Sequence, residues 1–199
     1  MAGRRAKAIS GNEVLAAEPC LAIDGLTGAA VYQDFHLADP HRLIIAMLQD
    51  AAAYGAQIAN HVEADGLVRQ GGRVECVTAT DRLTGVRFDI KAAQIVNACG
   101  PWAQRVADQL LPGQETVRIT GSKGIHLITP ALSSTHAIAV SGNGEHAFVL
   151  PWQGMSLFGT TDDIYTGDLS SVSATDGEIG AFRSKIARLM PAAASFSKP

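Results

Sequence analysis

Cys20, Cys76 and Cys99 are the only cysteines, and they are odd in number, far apart and without C-x-x-C spacing. That excludes a disulfide framework or a zinc site of ordinary spacing and fits a reducing, cytoplasmic compartment. Long apolar runs are missing as well. The basic start, Met1-Ala2-Gly3-Arg4-Arg5-Ala6-Lys7, is followed by no hydrophobic stretch, so neither a signal peptide nor a transmembrane helix is expected. A surplus of positive charge is also absent, with 16 basic against 19 acidic residues and a net charge of -3, which leaves no reason to expect a nucleic-acid partner. His36, His41, His61, His136 and His146 share no metal-ligand spacing; they are expected to be structural or exposed, and no metal is expected. No G-x-G-x-x-G, P-loop or G-x-S-x-G motif occurs, so the chain carries no complete dinucleotide fingerprint. Internal repeats and low-complexity tracts are lacking too.

What is present suits a globular chain. With 199 residues, 47% hydrophobic and 18% charged, there is material for one sizeable core and one or two subdomains. Ser10-Gly11-Asn12-Glu13 reads as a capping box before a short helix that Pro19 stops. Ala29 to Phe35 predicts a strand. Asp39-Pro40 opens a helix to Tyr54, with Leu43, Met47 and Tyr54, flanked by Ile44, Leu48 and Ala51, as its expected buried stripe. From Gln57 the period becomes two, which predicts strands near 57–64, 66–70 and 73–80, with a turn at Gly71-Gly72, and then Val86, Phe88 and Ile90 in alternation.

Next comes an apolar strand, Ile95 to Ala98, expected to be buried. It runs into a small-residue turn at Cys99-Gly100, and Pro101 leads into a helix from Trp102 to about Leu110. A glycine at such a corner lets a backbone or ligand come close, and helix-start N–H groups favour an anion, although any sharp strand-to-helix turn uses the same residues. Further strands are predicted near 116–120, 124–129 and 136–140. A hairpin joins Ala147–Leu150 to Met155–Gly159 through Pro151-Trp152-Gln153-Gly154. Thr175 and Glu178 form a second capping box before a helix whose stripe is Ile179, Phe182, Ile186 and Leu189. Strand runs broken by helices, with hairpin chemistry between them, indicate an α+β fold with an antiparallel or mixed sheet and flanking helices.

Ser122-Lys123-Gly124-Ile125-His126 sets a cation and an imidazole three residues apart, with Arg118 shortly before. Lysine and arginine hold phosphate, and histidine accepts a proton near neutral pH, a combination suited to a phosphorylated alcohol. Taken in isolation, the same residues also read as exposed strand-end charges beside a satisfied histidine. Gly159-Thr160-Thr161-Asp162 ends a strand with two hydroxyls and a carboxylate where loops carry binding groups; an ordinary Asp/Thr-rich turn has the same composition. Arg42, in a first helical turn, faces either an anion or solvent.

The blocks gain meaning from their order. Tyr32-Gln33-Asp34 with Asp39-Pro40-His41-Arg42-Leu43, then Val96 to Trp102, Lys123-Gly124-Ile125-His126, Phe148 to Trp152 and Gly159-Thr160-Thr161-Asp162 together resemble FAD-dependent glycerol-3-phosphate dehydrogenase, over roughly Leu15 to Met190. The resemblance implies the cap domain of a DAO-like flavoprotein with part of its FAD domain, lacking the N-terminal βαβ dinucleotide unit. It implies one structural unit over 1–199: residues 29–115 at the FAD-domain and cap junction, 116–190 in the substrate sheet and terminal helix, and 191–199 as a tail. The parent reaction it implies converts sn-glycerol 3-phosphate to dihydroxyacetone phosphate, reducing FAD and passing electrons to a quinone. The resemblance implies a parent in the cytoplasm or peripherally on the inner membrane face; the isolated chain is expected to be inactive, and the edges and apolar patches it bares without the missing flavin domain favour a homodimer.

By this resemblance His126 is the active-site histidine, and Thr160 and Thr161 lie beside the substrate. Lys123 and Arg118 are the implied substrate-binding cations. Val62, Ala98, Cys99 and Gly100 are the implied flavin contacts, with Cys99 replacing the family's usual threonine by a weaker donor. Arg42 and Trp102 match family positions as architecture. An amine or amino-acid oxidase of the same superfamily and a non-catalytic phosphometabolite-binding module are the alternatives.

Overall fold

The computed structural model describes residues 6–21, 24–110, 113, 118–133, 135–142 and 144–193. In chain order its elements begin with β1 (Lys7–Ser10), α1 (Gly11–Ala17), β2 (Gly28–Val31) and α2 (Pro40–Ala53). They continue through β3 (Val62–Gln70), β4 (Arg73–Asp81), β5 (Arg87–Lys91) and α3 (Ala103–Leu110). The remainder comprises β6 (Ser122–Lys123), β7 (Leu127–Pro130), β8 (Ile138–Gly142), β9 (Glu145–Trp152), β10 (Met155–Gly159), β11 (Asp163–Ile164) and α4 (Asp176–Leu189). Their contacts divide the chain into two compact units, one of residues 1–38 with 121–199 and one of residues 39–120. The strand pairs among the described residues are antiparallel, giving the expected α+β architecture.

The first unit is built on the sheet β7-β10-β9-β8. Gln153 and Gly154 both have positive φ, 49° and 79°, so a two-residue turn joins β9 to β10 with a twist that suits a hairpin. Pro151 and Trp152, expected in that turn, belong instead to β9, where they pair with Ser156 and Met155. Period-two alternation buries Ala147 and Val149 on β9 and turns Phe148 outward. Against β8 and β9 lies α4, begun by the expected capping box of Thr175 and Glu178. Phe182, Ile186 and Leu189 are buried, as their spacing requires, and Phe182 at 1% exposure contributes about 1.5–3 kcal/mol of hydrophobic stabilisation. Val14 of α1, itself started by the Ser10 and Glu13 box, joins the same core with Leu21, Phe158 and Met190.

A buried polar cluster fastens the end of α1 to this core. Glu18, 7% exposed, accepts hydrogen bonds from the Ser133 and Thr135 hydroxyls, each at 2.9 Å, and lies 2.6 Å from His136 Nδ1. Burial pushes its carboxyl upward, but the hydrogen bonds from His136, Ser133 and Thr135 outweigh that and hold it below the ordinary value. Burial and the neighbouring Glu18 carboxylate raise the Cys20 thiol.

The second unit contains the three-stranded meander β3-β4-β5 with α2 and α3. Where two strands were expected over 57–70, one strand, β3, runs from Val62 to Gln70 with a register shift between Ala64 and Gly66. Gly66 does not end the strand: it faces Thr78, whose hydroxyl occupies the space a Cβ would need. The helix expected after Asp39-Pro40 is there, capped by the Asp39 carboxylate on the Arg42 N–H at 3.0 Å. Its stripe, however, is not buried. Leu43 is 47% exposed and Met47 64%, because helical spacing provides an apolar face but not the surface that covers it. The buried strand expected at 94–98 is likewise extended chain without a ladder, and Val96 is 77% exposed.

Other boundaries shift. The strand expected at 29–35 ends at Val31, since only Gly28–Val31 finds a partner, in β1. The helix expected from Trp102 starts one residue later, after a 3-10 turn over Gly100–Trp102. Of the strand expected at 116–120, residues 116 and 117 lie outside the described residues and 118–120 pair with nothing among them. Of the strand expected at 124–129 only 127–129 is strand, in β7; residues 124–126 separate it from β6, and that gap shapes the site.

Candidate functional site

Lys123 pairs with Asp163 and Leu127 with Phe158. Four residues are stepped on one strand and five on the other, so the ribbon carries one extra residue between Gly159 and Asp162. Three unladdered residues thus face four, a bulge-like interruption between two short ladders, and such an extra residue bends a strand and re-aims its side chains. The Ile125 N–H, deprived of a ladder carbonyl, donates instead to Thr161 Oγ1 at 3.0 Å. Thr160 Oγ1 donates to the Thr161 carbonyl at 2.8 Å, and the Gly159–Thr160 peptide is cis.

Two glycines make the bulge possible. A Cβ on Gly124 would collide with the Thr161 carbonyl oxygen and Thr160 Oγ1, so the two backbones touch there only because residue 124 has no side chain. Gly159, one step beyond the Phe158 pairing, lies under the His126 ring, and a Cβ on it would overlap Cδ2 and Nε2. His126 and Thr160 are both exposed, while Ile125, the neighbour of His126, is buried at 7% and anchors the segment in the core.

Lys123 heads the same segment. Its ammonium lies 2.6 Å from Glu178 Oε1, donates to the Ser173 carbonyl at 3.2 Å and sits 5.3 Å from the centroid of the Tyr165 ring. Glu178 also accepts from the Thr175 N–H and hydroxyl, both at 2.8 Å. The Lys123 ammonium, followed by the Thr175 hydrogen bonds, lowers the Glu178 carboxyl from 4.5 to about 2. Because the folded value is depressed, the stabilisation it brings is complete above pH 4.5 and is lost as pH falls from there towards about 2. Acid unfolding should therefore show part of its proton uptake in that window, and Glu178→Gln should remove that part; potentiometric titration across the transition measures it.

Of the expected site residues, the structure brings Lys123, His126, Thr160 and Thr161 together in the first unit. Arg118, Val62, Ala98, Cys99 and Gly100 belong to the second. Arg118 is largely exposed, 3.8 Å from Asp108. Val62 begins β3 and is half-buried. The turn at Ala98–Gly100 is organised by Asn97, whose Oδ1 accepts from the Cys99 N–H at 3.2 Å and whose Nδ2 donates to the Ala103 carbonyl at 3.0 Å. Gly100 has φ 54° and open space where a Cβ would stand, so another molecule has room against its backbone. Cys99 is exposed and free.

Sequence reasoning missed three contributors. Asn97 stands inside the quoted block, and an asparagine two residues before a turn is a known turn-former, so that signal was available. Glu178 was legible as a capping residue but not as the partner of a lysine far away in the chain. Gly159 gave no sign of lying under an imidazole. Among the described residues no group of acidic, histidine or cysteine side chains is placed to hold a metal, and no helix is long and apolar enough to cross a membrane.

Comparison with known proteins adds identity to this geometry. Residues 1–198 match the family described as FAD dependent oxidoreductase, DAO. The chain is 37% identical over 179 residues to the alpha-glycerophosphate oxidase of Streptococcus pneumoniae serotype 4, covering 87% of this chain and 29% of that protein. It is 32% identical over 182 residues to a glycerol-3-phosphate dehydrogenase of Synechocystis sp., covering 85% of this chain and 33% of that one. Among solved structures, the glycerol-3-phosphate dehydrogenase of Bacillus halodurans complexed with FAD superposes with a TM-score of 0.77 at 26% identity, over 92% of this chain and 38% of that one. The L-proline dehydrogenase of P. horikoshii reaches the same TM-score at 21% identity, over 96% and 49%, which speaks to fold alone. The chain spans about three-tenths of the length of the curated relatives it matches.

Proposed function

The chain belongs to the DAO family of FAD dependent oxidoreductases, and from that premise we propose that it is the internal portion of a flavoenzyme oxidising sn-glycerol 3-phosphate to dihydroxyacetone phosphate. The observation that carries the reading is the bulge, where the ring of exposed His126 lies against Gly159 and the side chain of exposed Thr160 against Gly124. His126 takes the proton of the C2 hydroxyl on an imidazole nitrogen. FAD, when bound, supplies the two-electron acceptor for the hydride that leaves C2. Thr161 Oγ1 accepts from Ile125 and keeps its proton, while Thr160 Oγ1 donates to the Thr161 carbonyl and keeps its lone pairs; the substrate contact is assigned to Thr160, the more exposed of the two. Arg118 is the cation assigned to the phosphate.

The flavin is assigned to Val62 and the turn Ala98, Cys99 and Gly100. The open space at Gly100 fits close approach of such a group, and a backbone contact survives the replacement of threonine by Cys99. Residues 29–115 at the junction of the FAD domain and cap, 116–190 in the substrate sheet and 191–199 as a tail belong to the same proposal. So do a quinone acceptor, peripheral attachment to the inner membrane face and a homodimer. Relatives named oxidase and relatives named dehydrogenase make the acceptor a separate measurement.

An anaerobic visible spectrum of the full-length protein containing this chain, before and after adding sn-glycerol 3-phosphate, tests the reading. The oxidised flavin band should bleach, and reoxidation by quinone or by dioxygen then identifies the acceptor. A flavin that bleaches with proline or glycine but not with glycerol phosphate would move the chain to the amine and amino-acid oxidases. Absence of flavin would leave the phosphometabolite-binding module.

A further inference from the structure

The segment 124–126 is where the ribbon is least held by its own ladder. β6 and β11 share only two residue pairs, far fewer than a freestanding ribbon needs. The bulge replaces a ladder bond by the Thr161 hydroxyl. Buried Ile125 and the Tyr165 N–H on the Gly121 carbonyl hold this end to its unit, and the Lys123 side chain adds a tie to α4. Its ammonium is already surrounded by the Glu178 carboxylate, the Ser173 carbonyl and the face of Tyr165, and the Lys123 and Glu178 side chains are only 12% and 24% exposed. Glu178 stands in the first turn of α4, and α4 is seated in the core through Phe182, Ile186 and Leu189. A continuous path therefore runs from the core through α4, Glu178 and Lys123 to the three residues that end at His126.

We propose that Glu178 is a positioning residue which, through Lys123, holds the Lys123–His126 segment in place against Gly159–Thr161, and that Lys123 serves this relay instead of contacting the phosphate. The inference rests on the role given to His126 above. Its physical content is placement: an error of about 1 Å at a reacting group costs up to about 10²-fold in rate. A positive charge that already has a carboxylate at 2.6 Å offers a phosphate little, whereas a phosphate ligand needs a free donor.

The test uses the full-length, flavin-loaded protein with Glu178→Gln, Lys123→Met and the double variant. Glutamine still serves a capping box, so α4 keeps its start while the ion pair is lost, and methionine keeps the packed stem of lysine without its charge. Two quantities are followed: the rate and apparent affinity of anaerobic flavin reduction by sn-glycerol 3-phosphate, and the ring resonances of His126 in protein labelled with ¹³C-histidine. Each single variant should lower the limiting rate by about tenfold with substrate affinity unchanged. The double variant should be no slower than either single, because both break the same link, and the His126 resonances should move in all three. A weakened affinity confined to Lys123→Met would overturn the inference in favour of a direct phosphate contact, and so would unmoved His126 resonances. If the wild-type flavin is not bleached at all, the substrate reading fails, while the resonances still decide whether Glu178 positions His126.

Discussion

Replacing His126 by alanine should slow flavin reduction by sn-glycerol 3-phosphate by about 10²- to 10⁴-fold in the full-length protein, the range lost when a proton acceptor is removed. Stability should hardly change. His126 is exposed and contributes nothing to the core formed by Ile125 on one side of it and Phe158 across the ribbon. The same exposure gives a second readout, since free imidazole in solution has access to the vacated place and should restore part of the rate to His126→Ala. Stopped-flow reduction with and without imidazole measures both. An unchanged rate constant would remove His126 from proton transfer, and a slow variant that imidazole does not rescue would assign it to orientation of the substrate. The neighbouring Thr160 should behave differently: Thr160→Val removes a hydrogen bond and no proton acceptor, so its loss should be the smaller.

The features that a sequence shows well here are those decided within a few residues. Ser10 with Glu13 and Thr175 with Glu178 satisfy their own helix starts, and Asp39-Pro40 does the same for α2. Gln153-Gly154 carries its own turn, and the α4 stripe has a sheet behind it. Burial of Leu43, Met47 and Val96 depends instead on surfaces supplied from elsewhere, so the correct periodicity led to an incorrect exposure. The order of motifs identified the family because each block is fixed by a local need: a glycine for close approach, a histidine at a strand end. It did not disclose the arrangement of the site. The bulge arises from comparing two pairings, Lys123 with Asp163 and Leu127 with Phe158, and no single strand contains that information. The Lys123 and Glu178 pair is hidden for the same reason, each residue having a sufficient local explanation, one as a cation and the other as a cap.

Gly159→Ala follows from the arrangement that the sequence concealed, and it separates placement of His126 from its chemistry. Gly159 does not have positive φ, so alanine is compatible with its backbone, and the added Cβ meets a side chain, the His126 ring, that is free to turn towards solvent. The fold should therefore survive with a small change in melting temperature. The imidazole should be displaced from the strand end, and flavin reduction should fall by about 10²-fold although every catalytic group is present. Gly124→Ala provides the contrast. Its Cβ meets the backbone carbonyl of Thr161, which has nowhere to go while Thr161 Oγ1 holds the Ile125 N–H, so overpacking of about 1–3 kcal/mol should appear in the unfolding transition itself. If Gly159→Ala retained both wild-type melting and wild-type reduction, the ring's contact with residue 159 would be incidental to its function. If it lost both, the contact would be part of the core and not a setting for His126. Loss of rate with retention of melting is the outcome that a positioned, solvent-facing imidazole requires.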